Sequence, residues 1–553
     1  MTTPTPAPKP DPYEPKLTIW QRHPQLGWAL ATFALTVVLT CAAFPPYNVG
    51  ESAYVFAVPL LLWAYRRPTF KVFAWTVAVA QAVSWTIILG WLHHVTWGGL
   101  FLLGPFVGLI IGCWYLAVWW TTPRLTGHHY IVRIIILLGL SAAWVLMEWV
   151  RSTLFGGFPW LPLAASQWQR PLILQSASYA GAWSVSFILV FFNLATAAYA
   201  QRIFFEGVTG LRKRSPEFSI ALLLLMAGAF PFLGDFLHQR RIPLARVSII
   251  QPYIPQDEKW DEKRSLDVLR TIEKATLETS RKGKPDFILW PESATPWVLN
   301  RDPNVGAWLD SVARTTGKPL LLGTVYTQGE GAAEKWFNGA VTVDPVAGVS
   351  TAFYGKRKLV PFGEYVPLRP IFGWLQKFVP IGSSDFDHGT SSDPLTIKVG
   401  GSELAVGVLV CYEDIFSELA RDSAQSGAEV LAVVTNNAWY GEGGAAYQHA
   451  AHSVLRAVET RRPVIRCGNG GWSGWIDEFG NIQKTLTNDA GSVYFRGGGT
   501  VNVTRDLQWK DRQSFYTLHG DWFLLLCVVL TGAGYYAALY LRPAPVRAGE
   551  TPF

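Results

Sequence analysis

The sequence predicts a multi-span α-helical membrane domain together with an extracytoplasmic α/β domain. Composition predicts the membrane domain, since 50% of the residues are hydrophobic and only 16% are charged, against roughly 25% charged residues in soluble proteins. Apolar runs along the chain also predict it, because most are close to the ~20 residues needed to cross a bilayer. Between the last two runs, short segments rich in Val, Ile and Leu alternate with helical patterns, which predicts the α/β domain.

The apolar runs divide the chain into segments. They lie near residues 27–44, 52–65, 71–92, 98–120, 130–150, 172–200, 218–236 and 521–541. In chain order we expect a Pro-rich cytoplasmic leader at 1–26, a membrane domain with about seven transmembrane helices at 27–239, the α/β domain at 240–515, a final transmembrane helix at 516–542 and a cytoplasmic tail at 543–553. No small-residue cleavage site with a globular domain behind it follows the first run, so we interpret that run as a span rather than a signal peptide.

The basic residues predict how the chain is oriented. Lys and Arg gather before the first run and after the second, fourth, sixth and eighth runs, whereas the alternate short loops hold none apart from Arg151 and Arg170. By the positive-inside rule, both termini are cytoplasmic and residues 240–515 lie outside. The net charge is +7 without a dense Lys/Arg run, so nothing supports binding of nucleic acid.

Strands and helices alternate in the predicted α/β domain. The strand candidates are residues 246–250, 286–290, 319–323, 404–410 and 429–435, and the helix candidates are about 262–282, 304–316 and 447–461. This alternation is typical of sheets covered by helices. We therefore expect reactive side chains on the loops that follow the strands.

Three such side chains have the chemistry to take an acyl group onto sulfur. Cys411 directly follows the apolar run Leu404–Val410, and a thiol of ordinary pKa near 8.5 needs a base or a cation to become a thiolate. Glu292 follows the run Asp286–Trp290, where apolar neighbours are expected to raise the pKa of the carboxyl and make it a general base. Lys356 can favour the thiolate and stabilise an oxyanion. From residue types alone, ordinary core and surface roles are favoured over catalysis.

The other cysteines and the histidines predict no metal site or redox site. Only Cys411 and Cys467 lie in the predicted α/β domain, and there is no Cys-x-x-Cys or Cys/His spacing of a zinc site. A disulfide between these two cysteines is an alternative outside the cytoplasm, and it would remove the nucleophile. The pairs His93-His94 and His128-His129 sit at span ends without accompanying carboxylates. We expect no cofactor and no metal.

The motifs around these residues are similar to those of a known superfamily. They are Trp290-Pro291-Glu292-Ser293, Lys356-Arg357-Lys358-Leu359-Val360-Pro361-Phe362-Gly363-Glu364 and Cys411-Tyr412-Glu413. In this order they resemble the nitrilase (carbon–nitrogen hydrolase) superfamily. With the spans included, residues 27–541 resemble the bacterial apolipoprotein N-acyltransferase family. Further matches are Gly157-Phe158-Pro159-Trp160-Leu161, Ile254-Pro255-Gln256 with Lys259-Trp260, Gln448-His449 and Arg466. The resemblance implies that the α/β domain is a nitrilase-like αββα sandwich.

The resemblance also implies roles for individual residues. Glu292 would be the general base, Lys356 the oxyanion-stabilising amine and Cys411 the acylated nucleophile. Supporting or substrate-binding roles would fall to Glu364, Tyr412, Glu413 and Trp260. The backbone N–H of Tyr412 is also placed to share an oxyanion hole with Lys356.

The implied reaction moves the sn-1 acyl chain of a phospholipid to the N-terminal diacylglyceryl-cysteine of an apolipoprotein, through a thioester on Cys411. The partners are thus a phospholipid donor and an apolipoprotein acceptor in the bacterial cytoplasmic (inner) membrane, with the catalytic domain on its periplasmic face. One chain supplies every catalytic group, so we expect a monomer.

Two departures from the family pattern concern the acceptor side. The chain has Asn437 where the family usually has Asp, and the segment 467–475 replaces an Ala-Thr-Asn-x-Gly type of stretch. A membrane-tethered amidase or hydrolase with water as acceptor therefore stays open, as does a non-catalytic membrane scaffold. The stretch Pro361–Gly382 mixes aromatic residues with few charges, and we interpret it as a membrane-dipping lid.

Overall fold

The computed structural model describes residues 24–205, 214–230, 233–259, 261–366, 369–373 and 385–541. The predicted leader up to residue 23, the tail at 543–553 and Trp260 lie outside these residues, as do residues 367–368 and 374–382 of the predicted lid.

Among the described residues, five helices are long and apolar enough to cross a membrane. They are Phe70–Ile88, Trp97–Thr121 with its 3₁₀ extension to Arg124, Tyr130–Thr153, Ala182–Phe204 and Trp522–Tyr540. Leu26–Ala42 and Pro216–Ala229 are shorter apolar helices. The run near 52–65 forms the 3₁₀ turn Gly50–Tyr54 and the helix Val58–Tyr65, whose 8 residues extend only ~12 Å. The number of crossings stays a prediction.

The final helix packs against the helices of the N-terminal part. Gly139 of the helix Tyr130–Thr153 faces Gly534 of the final helix, and a Cβ on Gly139 would lie 2.8 Å from the Cα of Gly534. Small residues at such a crossing let two backbones approach and gain dispersion contacts. The helices on either side of the α/β domain therefore form one bundle.

The α/β domain contains two six-stranded sheets. The strands are β1 (Arg241–Gln251), β2 (Phe287–Leu289), β3 (Leu320–Gln328), β4 (Lys335–Asp344), β5 (Gly348–Gly355), β6 (Leu395–Val399), β7 (Ser402–Val410), β8 (Val430–Thr435), β9 (Val464–Gly468), β10 (Gly474–Ile476), β11 (Ile482–Thr485) and β12 (Gly497–Asp506). The order is β12-β1-β2-β3-β4-β5 in one sheet and β11-β10-β9-β8-β7-β6 in the other. At the centre of each sheet, β1, β2 and β3, and likewise β7, β8 and β9, run parallel.

The two sheets pack face to face between layers of helices. Alternate side chains such as Val247 and Ile249 meet Val408 and Val434 in the core between the sheets. The opposite face of the first sheet packs on the helices Ser265–Gly283 and Pro303–Thr316, and that of the second sheet packs on Ser417–Gln425 and Gly444–Thr460. Strands that are buried on both faces have continuous apolar runs in their sequences. The predicted αββα architecture is confirmed.

The helix Gly444–Thr460 joins the α/β domain to the membrane helices. Its Gln448 donates to the main-chain oxygens of Pro45 and Ile88, both at 2.9 Å. The same amide accepts from the indole N–H groups of Trp91 and Trp160, also at 2.9 Å. All four hydrogen-bonding positions of this buried amide are therefore used for contacts to the N-terminal part of the chain.

Candidate active site

The structure brings Glu292, Lys356 and Cys411 together at the ends of three strands. Glu292 follows β2, Lys356 follows β5 and Cys411 follows β7. Lys356 Nζ lies 3.5 Å from Glu292 Oε1, and the Cys411 sulfur is within electrostatic reach of both groups. A carboxylate, an ammonium and a thiol from three separate loops are therefore buried close together.

The Glu292 carboxyl is surrounded by donors and cations. Asn338 on β4 donates to Glu292 Oε1 at 2.8 Å and to Glu364 Oε1 at 2.7 Å. Burial raises the pKa of Glu292, but the Lys356 ammonium, the Asn338 amide and the buried Lys259 outweigh burial and leave the pKa lowered. The expectation of a raised pKa is wrong, because the apolar neighbours Trp290 and Pro291 do not act alone. Glu292 is therefore ionised at neutral pH and can accept a proton.

Lys356 is held between two carboxylates. Its Nζ lies 2.9 Å from Glu364 Oε1 in addition to the contact with Glu292. Burial lowers the pKa of Lys356, but Glu364 and Glu292 outweigh burial, and the net pKa is raised. Glu364 Oε2 accepts from the N–H of Val360 at 2.7 Å, which fixes the loop that carries both residues. Lys356 therefore stays an ammonium that can stabilise negative charge but cannot serve as the base.

Cys411 occupies a strained turn between β7 and the 3₁₀ helix Cys411–Ile415. Its φ of +52° is left-handed, a conformation that costs a non-glycine residue about 1–2 kcal/mol and that recurs at functional sites. Burial raises the pKa of the Cys411 thiol to about 12, and the Glu292 carboxylate adds to the effect. The hydroxyl of Thr435 donates to Cys411 Sγ at 3.3 Å. The resting side chain of Cys411 is thus a thiol, which needs a base to become a thiolate.

Glu413 connects the Lys356 loop to the Cys411 turn. Its Oε1 accepts from the N–H groups of Arg357 at 2.5 Å and Lys358 at 3.2 Å. Its Oε2 accepts from the N–H of Val410 at 2.8 Å and from the hydroxyl of Tyr354 at 2.9 Å. Four donors aimed at one buried carboxyl match a carboxylate, which therefore fixes the distance between the two catalytic loops.

Tyr412 connects the same turn to the membrane helices. Its hydroxyl donates to the main-chain oxygen of Gly157 at 3.2 Å, in the loop that follows the helix Tyr130–Thr153. Trp160 of this loop packs on the rings of His449 and His452 at 5.4 and 5.7 Å. Cys411 therefore lies where the α/β domain meets the membrane domain.

Several residues beside the site have no role that the sequence predicts. Asn338 is one of them, because no sequence pattern predicts the strand β4 on which it lies. His449 and Arg466 stand in matched motifs without an assigned role, and Asp414 joins them: its Oδ1 lies 2.6 Å from His449 Nε2, and its Oδ2 lies 2.6 Å from Arg466 Nη1. His449 Nε2 also lies 3.1 Å from the main-chain oxygen of Cys411. Asp414, His449 and Arg466 thus form a buried group that contacts the turn at Cys411 through His449.

Cys467 is a free thiol, as is Cys411. Its Sγ lies 3.2 Å from the main-chain oxygen of Ile250 and 3.4 Å from that of Leu289, inside the core between the sheets. The alternative of a disulfide between Cys411 and Cys467 is therefore wrong. Within the described part of the chain, no group of three or more His, Cys, Asp or Glu side chains is placed to hold a metal ion.

Both the membrane domain and the α/β domain of the chain are similar to known proteins. Residues 36–195 match the family model of the apolipoprotein N-acyltransferase N-terminal domain, and residues 246–496 match that of carbon-nitrogen hydrolase. The apolipoprotein N-acyltransferase of Brucella suis biovar 1 is 34% identical over 533 residues, which cover 91% of this chain and 94% of that protein. The one of Geobacter metallireducens is 29% identical over 523 residues, which cover 92% and 94%. A crystal structure of an amidase from Nesterenkonia sp. is 21% identical, with a TM-score of 0.35 and coverage of 51% of this chain and 98% of the amidase.

Proposed function

The chain belongs to the apolipoprotein N-acyltransferase family, and we propose that Glu292, Lys356 and Cys411 carry its acyl transfer by a ping-pong mechanism. The chain is thus a membrane-embedded acyltransferase of the carbon–nitrogen hydrolase superfamily, which overturns the alternative of a non-catalytic scaffold. The observation that carries the mechanism is the meeting of the three buried side chains: Lys356 Nζ lies 3.5 Å from Glu292 Oε1, and the Cys411 sulfur is within electrostatic reach of both.

In the first half-reaction, the donor is a phospholipid. The Glu292 carboxylate takes the proton of the Cys411 thiol, and the sulfur attacks the carbonyl carbon of the sn-1 ester. The Lys356 ammonium and the backbone N–H of Tyr412 stabilise the oxyanion of the tetrahedral intermediate. The carbon–oxygen bond then breaks, and Glu292 returns its proton to the oxygen of the departing lysophospholipid. An acyl thioester remains on Cys411.

In the second half-reaction, the acceptor is the N-terminal diacylglyceryl-cysteine of an apolipoprotein. Its neutral α-amine attacks the thioester carbonyl, and the Glu292 carboxylate accepts the proton that the new amide nitrogen loses. The carbon–sulfur bond breaks, and Glu292 protonates the leaving thiolate of Cys411. The site returns to its starting state, and the lipoprotein carries a third acyl chain.

The supporting residues act through these groups. Glu364 holds the Lys356 ammonium at 2.9 Å, and Glu413 joins the two catalytic loops through its four hydrogen bonds. Tyr412 anchors the nucleophile turn to Gly157. For Trp260, which lies outside the described residues, a supporting or substrate-binding role rests on its match to the family motif.

The location of the site suits two membrane-anchored substrates. We place the protein in the bacterial cytoplasmic (inner) membrane, with residues 240–515 as a periplasmic catalytic domain and both termini in the cytoplasm. The alternation of basic loops supports this orientation. Because the site lies beside the membrane helices, both membrane-anchored substrates are held close to Cys411. A single chain supplies all catalytic groups, which supports a monomer.

Intact mass of the full-length protein, purified in detergent and incubated with phospholipid, tests the proposal. We expect the wild type to gain one fatty acyl group that hydroxylamine removes. Cys411→Ala should gain none, whereas Cys113→Ala, which changes an exposed cysteine, should behave as the wild type. No adduct on the wild type, or an adduct that persists in Cys411→Ala, would refute the thioester.

The acceptor is tested on the same acylated enzyme. Addition of a diacylglyceryl-cysteine peptide should move the acyl chain to the peptide amine, at a rate well above the release of free fatty acid in water alone. Release of fatty acid at one rate with or without the peptide would instead support the amidase or hydrolase alternative.

A further inference from the structure

A buried lysine that the proposed mechanism does not use lies behind the general base. Lys259 ends the short helix Gln256–Lys259, which follows β1, and its side chain is only 1% exposed. Its Nζ donates to the main-chain oxygen of Glu292 at 2.9 Å. The next residue, Ser293, has a left-handed φ of +46°, so Lys259 holds the strained turn that aims the Glu292 side chain into the site.

The charge of Lys259 acts on both reacting groups. Its electrostatic partners are the Glu292 carboxylate and the Cys411 sulfur. Without it, one ammonium, Lys356, would contact two carboxylates, Glu292 and Glu364. Lys259 supplies a second cation beside Glu292. A buried charge without a counter-charge is strongly unfavourable, so a second cation is needed to keep both carboxylates ionised.

We propose that Lys259 is a positioning residue for the acyl transfer: it fixes the Glu292 turn and keeps the Glu292 carboxylate ionised for removal of the Cys411 proton. This inference rests on the proposed function. The contact that supports this role is the hydrogen bond from Lys259 Nζ to the main-chain oxygen of Glu292.

The pKa values around Glu292 agree with this role. Burial lowers the pKa of Lys259 to about 8, against the opposing effect of Glu292 and Cys411, so the amine is mainly a cation at neutral pH. Lys259 in turn lowers the pKa of Glu292. Loss of its charge must therefore raise the pKa of Glu292 and reduce the carboxylate fraction as the pH falls.

The other groups that face Glu292 come from separate elements. Lys356 follows β5, Asn338 lies on β4 and Cys411 follows β7, while Glu364 reaches it through Lys356 and Asn338. Tyr440, in the 3₁₀ turn after β8, is also within its electrostatic reach. None of these is altered by a substitution at Lys259, so a change in the pH profile reports on Lys259.

The test is the pH dependence of the rate at which the full-length enzyme forms the Cys411 thioester with phospholipid. In Lys259→Met, we expect a rate about 10-fold lower at neutral pH and an acid limb whose midpoint lies about one pH unit higher than in the wild type. Lys259→Arg, which keeps the charge, should return the midpoint to the wild-type value. The matched control is Lys263→Met, because Lys263 is exposed one turn further along the chain.

Lys259→Gln separates the effect of the charge from that of the hydrogen bond, and it serves as the test if Lys259→Met does not fold. It keeps an N–H donor for the Glu292 oxygen but has no charge, so its midpoint should also move upward. A midpoint equal to that of the wild type in either neutral variant would overturn the inference, even with a slower rate. Absence of the thioester in the wild type would instead refute the proposed function, so the two failures are distinguishable.

Discussion

Glu413→Gln tests whether the geometry of the site depends on one buried carboxylate. The amide group of glutamine replaces one acceptor oxygen by a donor. In the more favourable orientation of the glutamine amide, the new NH₂ group faces the N–H of Val410 and the hydroxyl of Tyr354. The hydroxyl can turn to accept a hydrogen bond from the NH₂ group, whereas the N–H cannot. The bonds to Arg357 and Lys358 remain. One charge-assisted hydrogen bond is thus lost, and the N–H of Val410 is left unpaired.

The magnitude follows from this loss. A buried N–H left unpaired costs about 1–3 kcal/mol, and a hydrogen bond to a charged group contributes about 1.5–3 kcal/mol. The upper value, about 3 kcal/mol, applies to this fully buried site, and every 1.4 kcal/mol is about tenfold. If the competent arrangement of the two loops loses this free energy, the rate of thioester formation falls about 100-fold.

The assay is the acyl adduct on Cys411, measured by intact mass in samples quenched at successive times. Glu403→Gln is the matched control, because Glu403 is an exposed glutamate on the same strand, β7. We expect the control to keep the wild-type rate. An equal rate in Glu413→Gln and Glu403→Gln would refute the reasoning, since it would show that the Lys356 loop and the Cys411 turn keep their distance without this carboxylate.

Two further substitutions test the surroundings of the site. Asn338→Leu removes a donor that lowers the pKa of Glu292, so the acid limb of thioester formation should move to higher pH; an unchanged midpoint would contradict this. Gln448→Leu removes four hydrogen bonds between the α/β domain and the membrane helices. Each buried group left unpaired costs about 1–3 kcal/mol. The apparent melting temperature in detergent should therefore fall by several degrees. Exposed Gln483→Leu is its control, and equal melting temperatures would argue against the role of Gln448.

The sequence predicts the centre of the site because its residues follow strands with a clear pattern. The strands β2 and β7 are buried on both faces, so Glu292 and Cys411 stand out as the first polar residues after continuous apolar runs. The strands β2 and β7 lie in different sheets, and the face-to-face packing of the two sheets brings the loops that follow them together. The αββα architecture follows from the same alternation of strands and helices.

The sequence could not predict the electrostatics, because they depend on residues from unpredicted elements. Asn338 lies on β4, where polar residues interrupt the apolar sequence although residues 337–343 are all buried, and it donates to both carboxylates of the site. Lys259 precedes Glu292 by a whole helix along the chain, yet it contacts the main-chain oxygen of Glu292. The direction of the Glu292 pKa is set by these contacts and by Lys356, rather than by the neighbours in sequence.

The membrane domain contributes to the shape of the nucleophile turn as well as to anchoring. The left-handed turn at Cys411 costs about 1–2 kcal/mol, and His449, 3.1 Å from the main-chain oxygen of Cys411, helps to offset that cost. His449 follows Gln448 on the same helix, and Gln448 is held by Trp91 and Trp160 of the membrane domain. A substitution that loosens this helix must therefore relax the turn. The α/β domain alone would keep Glu292, Lys356, Cys411 and the contact of His449, but it would lose the hydrogen bonds of Gln448 and Tyr412 to the membrane domain, which hold the helix and the turn in place.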